Sequence, residues 1–167
     1  MDRTKAAQLI KDIREAFHDV ARGEGITLNE GRAMDDYRPV EDQKEARELD
    51  TDIHWWGIPQ QKIEKLYDAF TFLDIEGMRY YLAPFLIYAL ENPESNWPVT
   101  DWAVGDLARA DRIPEFSIFD ATQSVVIARY LQALSLDWEH DEMLAKTAVA
   151  ALRKYWRQFL PKAAGEE

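Results

Sequence analysis

Residues 74–91 read DIEGMRYYLAPFLIYALE, and apolar side chains occur on every face of the helix that this segment predicts. At 100° per residue, Met78 and Phe85 lie on one side of the helix, whereas Tyr80 and Ile87 lie on the other. A helix that is apolar all round has to be covered by its neighbours. We therefore expect this segment to form the central helix of a helical domain.

Local signals mark the ends of this helix and one weak point inside it. Asp74 suits the N-cap position, and Asn92-Pro93 suits a helix stop. Pro84 lacks a backbone N–H, and its ring opposes the carbonyl group four residues earlier. The segment is therefore expected to kink near Tyr80 or to split into two shorter helices.

The remainder of the chain is dominated by apolar residues spaced three and four apart, which is typical of helices. The segments with this pattern, or with a weaker form of it, are 4–21, 59–73, 99–107, 121–136 and 139–160. The helix from residue 121 is preceded by a capping-box sequence, Asp120-Ala-Thr-Gln123. Only Phe116-Ser-Ile-Phe119 alternates as a strand would.

These patterns predict an all-α fold with a single domain over residues 1–160. We expect a bundle of five or six helices around the central helix near 74–91, and a frayed tail at 161–167. Nine acidic residues and four basic ones lie between Glu30 and Asp52. We interpret residues 24–52 as an acidic polar loop in contact with solvent, with a short helix from Val40 to Leu49 as its only candidate element.

Composition narrows the classes of function. The chain has 20 basic and 31 acidic residues, a net charge of −11, which argues against binding nucleic acid or an anionic membrane and favours a basic partner. It has no cysteine, so disulfides, thiol catalysis and thiolate metal sites are excluded. No leader pattern opens the chain and no segment has the length of a membrane span, so we expect a cytoplasmic protein.

Two motifs carry a family resemblance. The sequence Trp55-Trp-Gly-Ile-Pro59, followed by Phe72-Leu-Asp-Ile-Glu-Gly-Met-Arg-Tyr-Tyr-Leu82, resembles a family of uncharacterised bacterial proteins. That family has a tryptophan and a proline before a helix, then Phe-Leu, Glu-Gly, an aromatic residue or arginine, and Tyr-Leu-Pro; here Ala83 separates the leucine from the proline. Phe116–Phe119 is a second, weaker match. The resemblance implies a self-contained bacterial domain and transfers no activity.

Trp55 and Trp56 are the first candidates for a binding site. Two adjacent indoles on one loop cannot easily point into the same core, so we expect one of them to be partly exposed. Tryptophan is enriched among the residues that anchor protein interfaces. Packing over a small core is the competing interpretation.

Glu76 and Arg79 are the second candidates, because they place charges on an otherwise apolar helix. A buried guanidinium needs a partner, and the structural interpretation is an ion pair of Arg79 with Glu76 or Asp74. The alternative is a pocket that recognises an acidic ligand and is formed by Glu76, Arg79, Tyr80 and Tyr81.

Catalytic and metal-binding motifs receive little support. Glu15-x-x-His18 and Asp137-x-x-His140 resemble the Glu-x-x-His pairs of di-metal helical bundles, but Glu15 and His18 are predicted to face solvent. No nucleophile elbow, P-loop or dinucleotide motif occurs, and no cofactor is expected.

The sequence alone favours a non-enzymatic bacterial protein-binding or accessory module, similar in role to an inhibitor or immunity protein. It would use an acidic surface and aromatic anchors to bind a basic protein. The alternative is a small enzyme or ligand-binding bundle with its pocket near Glu76, Arg79, Tyr80 and Tyr81. The oligomeric state is left open.

Overall fold

Helices form the regular structure of residues 2–136 and 141–161, which are the residues that this computed structural model describes. The α-helices are α1 (Arg3–Ala16), α2 (Leu28–Asp35), α3 (Val40–Arg47), α4 (Gln60–Lys65), α5 (Ile75–Glu91), α6 (Val99–Leu107), α7 (Ala121–Ser135) and α8 (Glu142–Lys154). Four 3₁₀ helices occur at Trp55–Gly57, Tyr67–Phe72, Ala110–Ile118 and Trp156–Phe159. The all-α class is confirmed. These elements outnumber the five or six helices expected, because short helices contain too few apolar repeats to be recognised.

Helix α5 is the buried centre of the fold, as predicted. Eleven of its seventeen residues are buried. Helices α1, α4 and α6 pack against it, as do the 3₁₀ helices Trp55–Gly57 and Ala110–Ile118. Asp74 is its N-cap and Asn92 its C-cap, so both end signals are confirmed. None of the described helices is long and apolar enough to cross a membrane.

Pro84 does not divide α5, so of the two expectations, a kink near Tyr80 or a split into two helices, the split is wrong. The helix continues through Pro84 without a break. The missing N–H and the ring clash cost about 3 kcal/mol. All residues from Tyr80 to Tyr88 are buried, and burying one large apolar side chain contributes roughly 1.5–3 kcal/mol. Packing on both sides of the proline therefore outweighs its local cost.

Several other boundaries differ from the sequence patterns. Helix α1 ends at Ala16 and not at residue 21. The pattern at 59–73 is interrupted at Leu66, between α4 and a 3₁₀ helix. Phe116–Phe119 forms no strand, because most of it belongs to the 3₁₀ helix Ala110–Ile118. Beyond Pro161, the predicted tail lies outside the described residues.

The interpretation of residues 24–52 as a solvated loop is wrong for its first half. Helix α2 begins there with a capping box, in which Thr27 and Glu30 each accept a hydrogen bond from the other's backbone N–H at 3.2 Å. Leu28 and Thr27 are fully buried. Helix α3 has no buried residue, so only this later part resembles the predicted solvated surface. The sequence Thr27-x-x-Glu30 is a capping-box signal for the start of α2. The many charged residues around it make that signal hard to recognise.

Two glycines allow the chain before α2 to cross the start of α5 at backbone distance. A Cβ atom at Gly77 would lie within 3.0 Å of the carbonyl oxygen of Ile26, and one at Gly25 would lie equally close to the backbone of Gly77. Asp74 Oδ1 accepts hydrogen bonds from the N–H groups of Gly77 and Ile26, both at 2.9 Å. Gly77 thus permits close packing of the two backbones.

We predict that Gly77→Ala lowers the free energy of unfolding by about 3 kcal/mol, because the methyl group would force two backbones apart. Gly105→Ala in α6 is the control, because a Cβ there meets no atom within 4 Å. It should raise stability by about 0.5 kcal/mol, since alanine favours a helix interior. Urea unfolding followed by circular dichroism measures both. Equal stability of the two variants would contradict the crossing.

Candidate functional site

Trp55 and Trp56 point to different environments. Trp55 is 3% exposed, and its indole N–H donates a hydrogen bond to the carbonyl oxygen of Phe17 at 2.8 Å. Trp56 is 45% exposed. The expectation that one of the two indoles is partly exposed is therefore confirmed. Trp55 contributes to the core, and Trp56 remains available to a partner.

Two imidazole rings hold Trp56 in place. The ring of His54 stacks on it with a centroid separation of 4.3 Å, and the ring of His18 with one of 5.1 Å. Trp55 contacts Trp56 edge to face, at 5.5 Å. His18 Nδ1 is in turn 2.8 Å from a carboxylate oxygen of Asp19. An indole positioned in this way loses little conformational freedom when it binds.

A small cleft lies between Trp56 and α5. Apolar side chains line its interior, and an ion pair between Arg14 and Glu91, 3.2 Å apart, lies at its edge. The apolar lining residues are Trp55, Ile58, Ile63, Pro84 and Ile87. Its volume is about 110 Å³, whereas pockets for small molecules usually occupy roughly 300–1,000 Å³. The cleft therefore suits one side chain of a partner better than a metabolite.

The structure does not bring Glu76 and Arg79 together. Glu76 is exposed, and Arg79 is half-buried. Arg79 Nε donates a hydrogen bond to Gln123 Oε1 at 3.1 Å, and Gln123 Nε2 donates to the carbonyl oxygen of Ala16 at 3.1 Å. The expected ion pair with Glu76 or Asp74 is not formed. Arg79 instead connects α5 to α7, a long-range contact that no local spacing could reveal.

Tyr80 and Tyr81 are fully buried, with their rings edge to face at 4.9 Å. The Tyr80 hydroxyl donates to the carbonyl oxygen of Asp52 at 3.4 Å. Burial raises the pKa of Tyr80 to about 12 and also raises the pKa of Tyr81. Both side chains are therefore neutral at physiological pH and contribute to packing.

A buried charge network lies beside Tyr80, and the sequence did not indicate it. Lys62 pairs with Asp50 at 2.5 Å and also with Asp52. Asp50 is 2% exposed and accepts two hydrogen bonds from Asn29, both at 2.9 Å. Its backbone carbonyl accepts a further hydrogen bond from Arg22. The acidic residue thus joins the start of α2 to α4.

Burial alone would raise the pKa of the Asp50 carboxyl group. Hydrogen bonds from Lys62, Thr27 and Asn29, together with the charge of Lys62, outweigh burial and hold that pKa below its ordinary value of 3.8. The charged form is therefore more stable in the folded protein than in the unfolded chain. Its contribution is complete above the unfolded pKa and is lost as pH falls through the lower, folded pKa.

A second buried network surrounds Arg112. Its guanidinium donates to the carbonyl oxygen of Leu73 at 2.7 Å and to the carboxylates of Asp106, at 3.4 Å, and Glu115, at 3.2 Å. Arg109 binds Asp106 and Asp111. A polar cleft of about 270 Å³ adjoins these residues. Its arginines are already neutralised by carboxylates, so the arrangement favours internal pairing over capture of an anion.

The structure does not support Glu15-x-x-His18, the first half of the possible metal motif, as a metal site. Glu15 is near Lys11, with 3.8 Å between the charged atoms, while His18 stacks on Trp56. Asp137 and His140 lie outside the described residues. Within residues 2–136 and 141–161, no three histidine or carboxylate side chains are grouped so that they could hold a metal ion.

Large apolar side chains are concentrated on the surface of one part of the chain. Nine of them are exposed among the described residues, and five of the nine lie in segment 37–56. These five are Tyr37, Val40, Leu49, Ile53 and Trp56. Ile53 is 82% exposed. Segment 37–56 therefore combines exposed apolar side chains with the acidic sequence around them, a combination found at docking surfaces.

We predict that Asp50→Asn lowers the free energy of unfolding by about 3 kcal/mol at neutral pH, because it removes one partner of a buried ion pair. The difference from the wild type should shrink as the pH falls below about 4, since the unfolded wild-type chain takes up a proton at Asp50 there, whereas the folded carboxylate takes one up only at its lower pKa. Chemical unfolding across a pH series measures this. Asp36→Asn, at an exposed position, is the control and should change little. A difference that stays constant down to pH 2 would contradict the role of the Asp50 charge.

Comparison with known proteins places the chain in a family. A family model described as a family of unknown function, DUF6714, matches residues 5–160. The matched region includes all of the α-helices except the first two residues of α1, together with segment 37–56 and both buried charge networks. The chain matches no curated protein and no solved structure. The resemblance to an uncharacterised family is thus confirmed, and the chain belongs to DUF6714, a family of unknown function.

Proposed function

We propose that this protein is a non-enzymatic binding module that docks a basic protein through segment 37–56. The observation that carries the proposal is the concentration of exposed apolar side chains in this acidic segment. Interfaces are usually organised around a few apolar or aromatic anchors within a polar rim. Trp56 is the anchor that the surrounding structure holds most firmly, because two imidazole rings stack on it.

The charges of this segment support a basic partner. Glu41, Glu45 and Glu48 of this segment and Asp36 just before it are exposed, and none of them forms an ion pair with another described residue. The chain as a whole carries a net charge of −11. Uncompensated carboxylates around apolar anchors attract a positively charged surface and disfavour an acidic one. They are also unfavourable for nucleic acid and for anionic lipid.

The cleft beside Trp56 supports a protein partner over a metabolite. Its volume of about 110 Å³ accommodates a single side chain, and it is next to the exposed indole. The alternative function, a ligand-binding bundle or small enzyme centred on Glu76, Arg79, Tyr80 and Tyr81, has less support. The two tyrosines are buried, and the two charged side chains have different surroundings.

A bacterial, cytoplasmic setting and a role like that of an inhibitor or immunity protein complete the proposal. The resemblance of the Trp55–Pro59 and Phe72–Leu82 motifs to uncharacterised bacterial proteins supports the bacterial setting. An acidic module that binds a basic protein by charge complementarity and aromatic anchors is a familiar arrangement for inhibitors.

The double variant Ile53→Ser/Trp56→Ala tests this function. We expect the immobilised wild type to capture a basic protein from a lysate of the source cells at low salt, and the double variant to lose it. With the captured protein purified, its affinity for the variant should fall at least about ten-fold, because two exposed anchors are removed. Higher ionic strength should weaken wild-type binding, since the carboxylates contribute by attraction through solvent.

Trp97→Ala is the matched control, because Trp97 is 50% exposed but lies outside segment 37–56. It should bind the captured protein as the wild type does. Thermal unfolding should show that all three proteins are folded. If every captured protein binds the double variant as strongly as the wild type, segment 37–56 is not the docking surface.

A further inference from the structure

Tyr37 has a backbone conformation that a tyrosine rarely adopts. Its φ angle is +54°, in the left-handed region, and it is the only non-glycine residue of the described chain with a positive φ. It directly follows the C-cap of α2, Asp36. The Tyr37 N–H donates to the carbonyl oxygen of Met34 at 3.0 Å, and the Arg38 N–H to that of Ala33 at 2.9 Å. This pair of hydrogen bonds is the Schellman motif, in which the left-handed position is usually glycine.

The tyrosine side chain at this position does not visibly stabilise the fold. Its side chain is 94% exposed, the highest value among the exposed large apolar residues. An L-residue with a Cβ atom is strained in the left-handed region, whereas glycine is not. Packing of a side chain in the interior often compensates for such strain, but a side chain in solvent makes too few packing contacts to do so. Backbone strain that no packing interaction within the fold compensates is typical of functional positions.

We propose that Tyr37 is a binding anchor that inserts into an apolar pocket on the basic partner, next to that partner's lysine or arginine side chains. This inference rests on the proposed function and extends it to a named contact. The side chain lies in solvent, and the exposed carboxylates of Asp36 and Glu41 lie close to it in the chain. Tyrosine combines a large rigid apolar ring with a polar tip, which suits an anchor of this kind.

The phenol group also suits the charge of such a partner. A lysine or arginine side chain that approaches the carboxylates can lie over the face of the Tyr37 ring, where cations are attracted. The hydroxyl group can accept or donate a hydrogen bond at the edge of the pocket. Phenylalanine would retain the ring, whereas glycine and asparagine would relieve the backbone strain and lose the ring.

These differences allow a test with three variants and a defined probe, a phage-displayed library of random peptides selected on the wild-type protein. We expect the selected peptides to be rich in lysine and arginine. Tyr37→Phe should bind the selected peptides within about three-fold of the wild type. Tyr37→Gly and Tyr37→Asn should bind at least about ten-fold more weakly, yet Tyr37→Gly should unfold at a higher temperature than the wild type.

Higher stability together with weaker binding is the expected signature, because a purely structural tyrosine would give lower stability. Peptides that require Trp56 but bind Tyr37→Gly normally would overturn this inference and leave the proposed function standing. Failure to select any basic peptide would overturn both. If Tyr37→Gly is less stable than the wild type, the tyrosine stabilises the fold and the anchor role is wrong.

Discussion

One carboxylate oxygen connects the two parts of the chain on which the rest of the structure depends. Asp74 Oδ1 accepts hydrogen bonds from the N–H of Gly77, in the first turn of α5, and from the N–H of Ile26, in the segment that leads into α2. The same crossing requires that Gly25 and Gly77 lack side chains. The apolar central helix and the acidic segment are therefore joined at this crossing, although their compositions are opposite.

A second connection fixes the far end of the acidic segment. Asp50 binds Asn29 at the start of α2 and Lys62 in α4. Because the chain is held at Ile26 and at Asp50, the exposed side chains of Tyr37, Val40 and Leu49 between them are presented on a defined backbone. A surface that is already ordered loses less entropy on binding than a flexible loop does. This supports the proposal that segment 37–56 is a docking surface.

The acidic residues of this protein have two distinct uses. Asp50 and Asp106 are buried and bind arginine or lysine side chains inside the fold. Asp36 and Glu41 are exposed and carry uncompensated charge at the surface. The net charge of −11 counts both groups together, so it does not show where either group lies. Only burial separates carboxylates that hold the fold together from those available to a partner.

The sequence by itself determined the features that depend on neighbours a few residues apart. The helical class, the buried α5, the N-cap Asp74 and the capping box at Asp120–Gln123 all follow from side chains one to four positions from each other. Tertiary structure alone decided that Trp55 is buried while Trp56 is exposed, that Arg79 binds Gln123, and that Asp50 pairs with Lys62. Each of these outcomes depends on which distant segment packs nearby, and the free energy of that packing is a property of the whole chain.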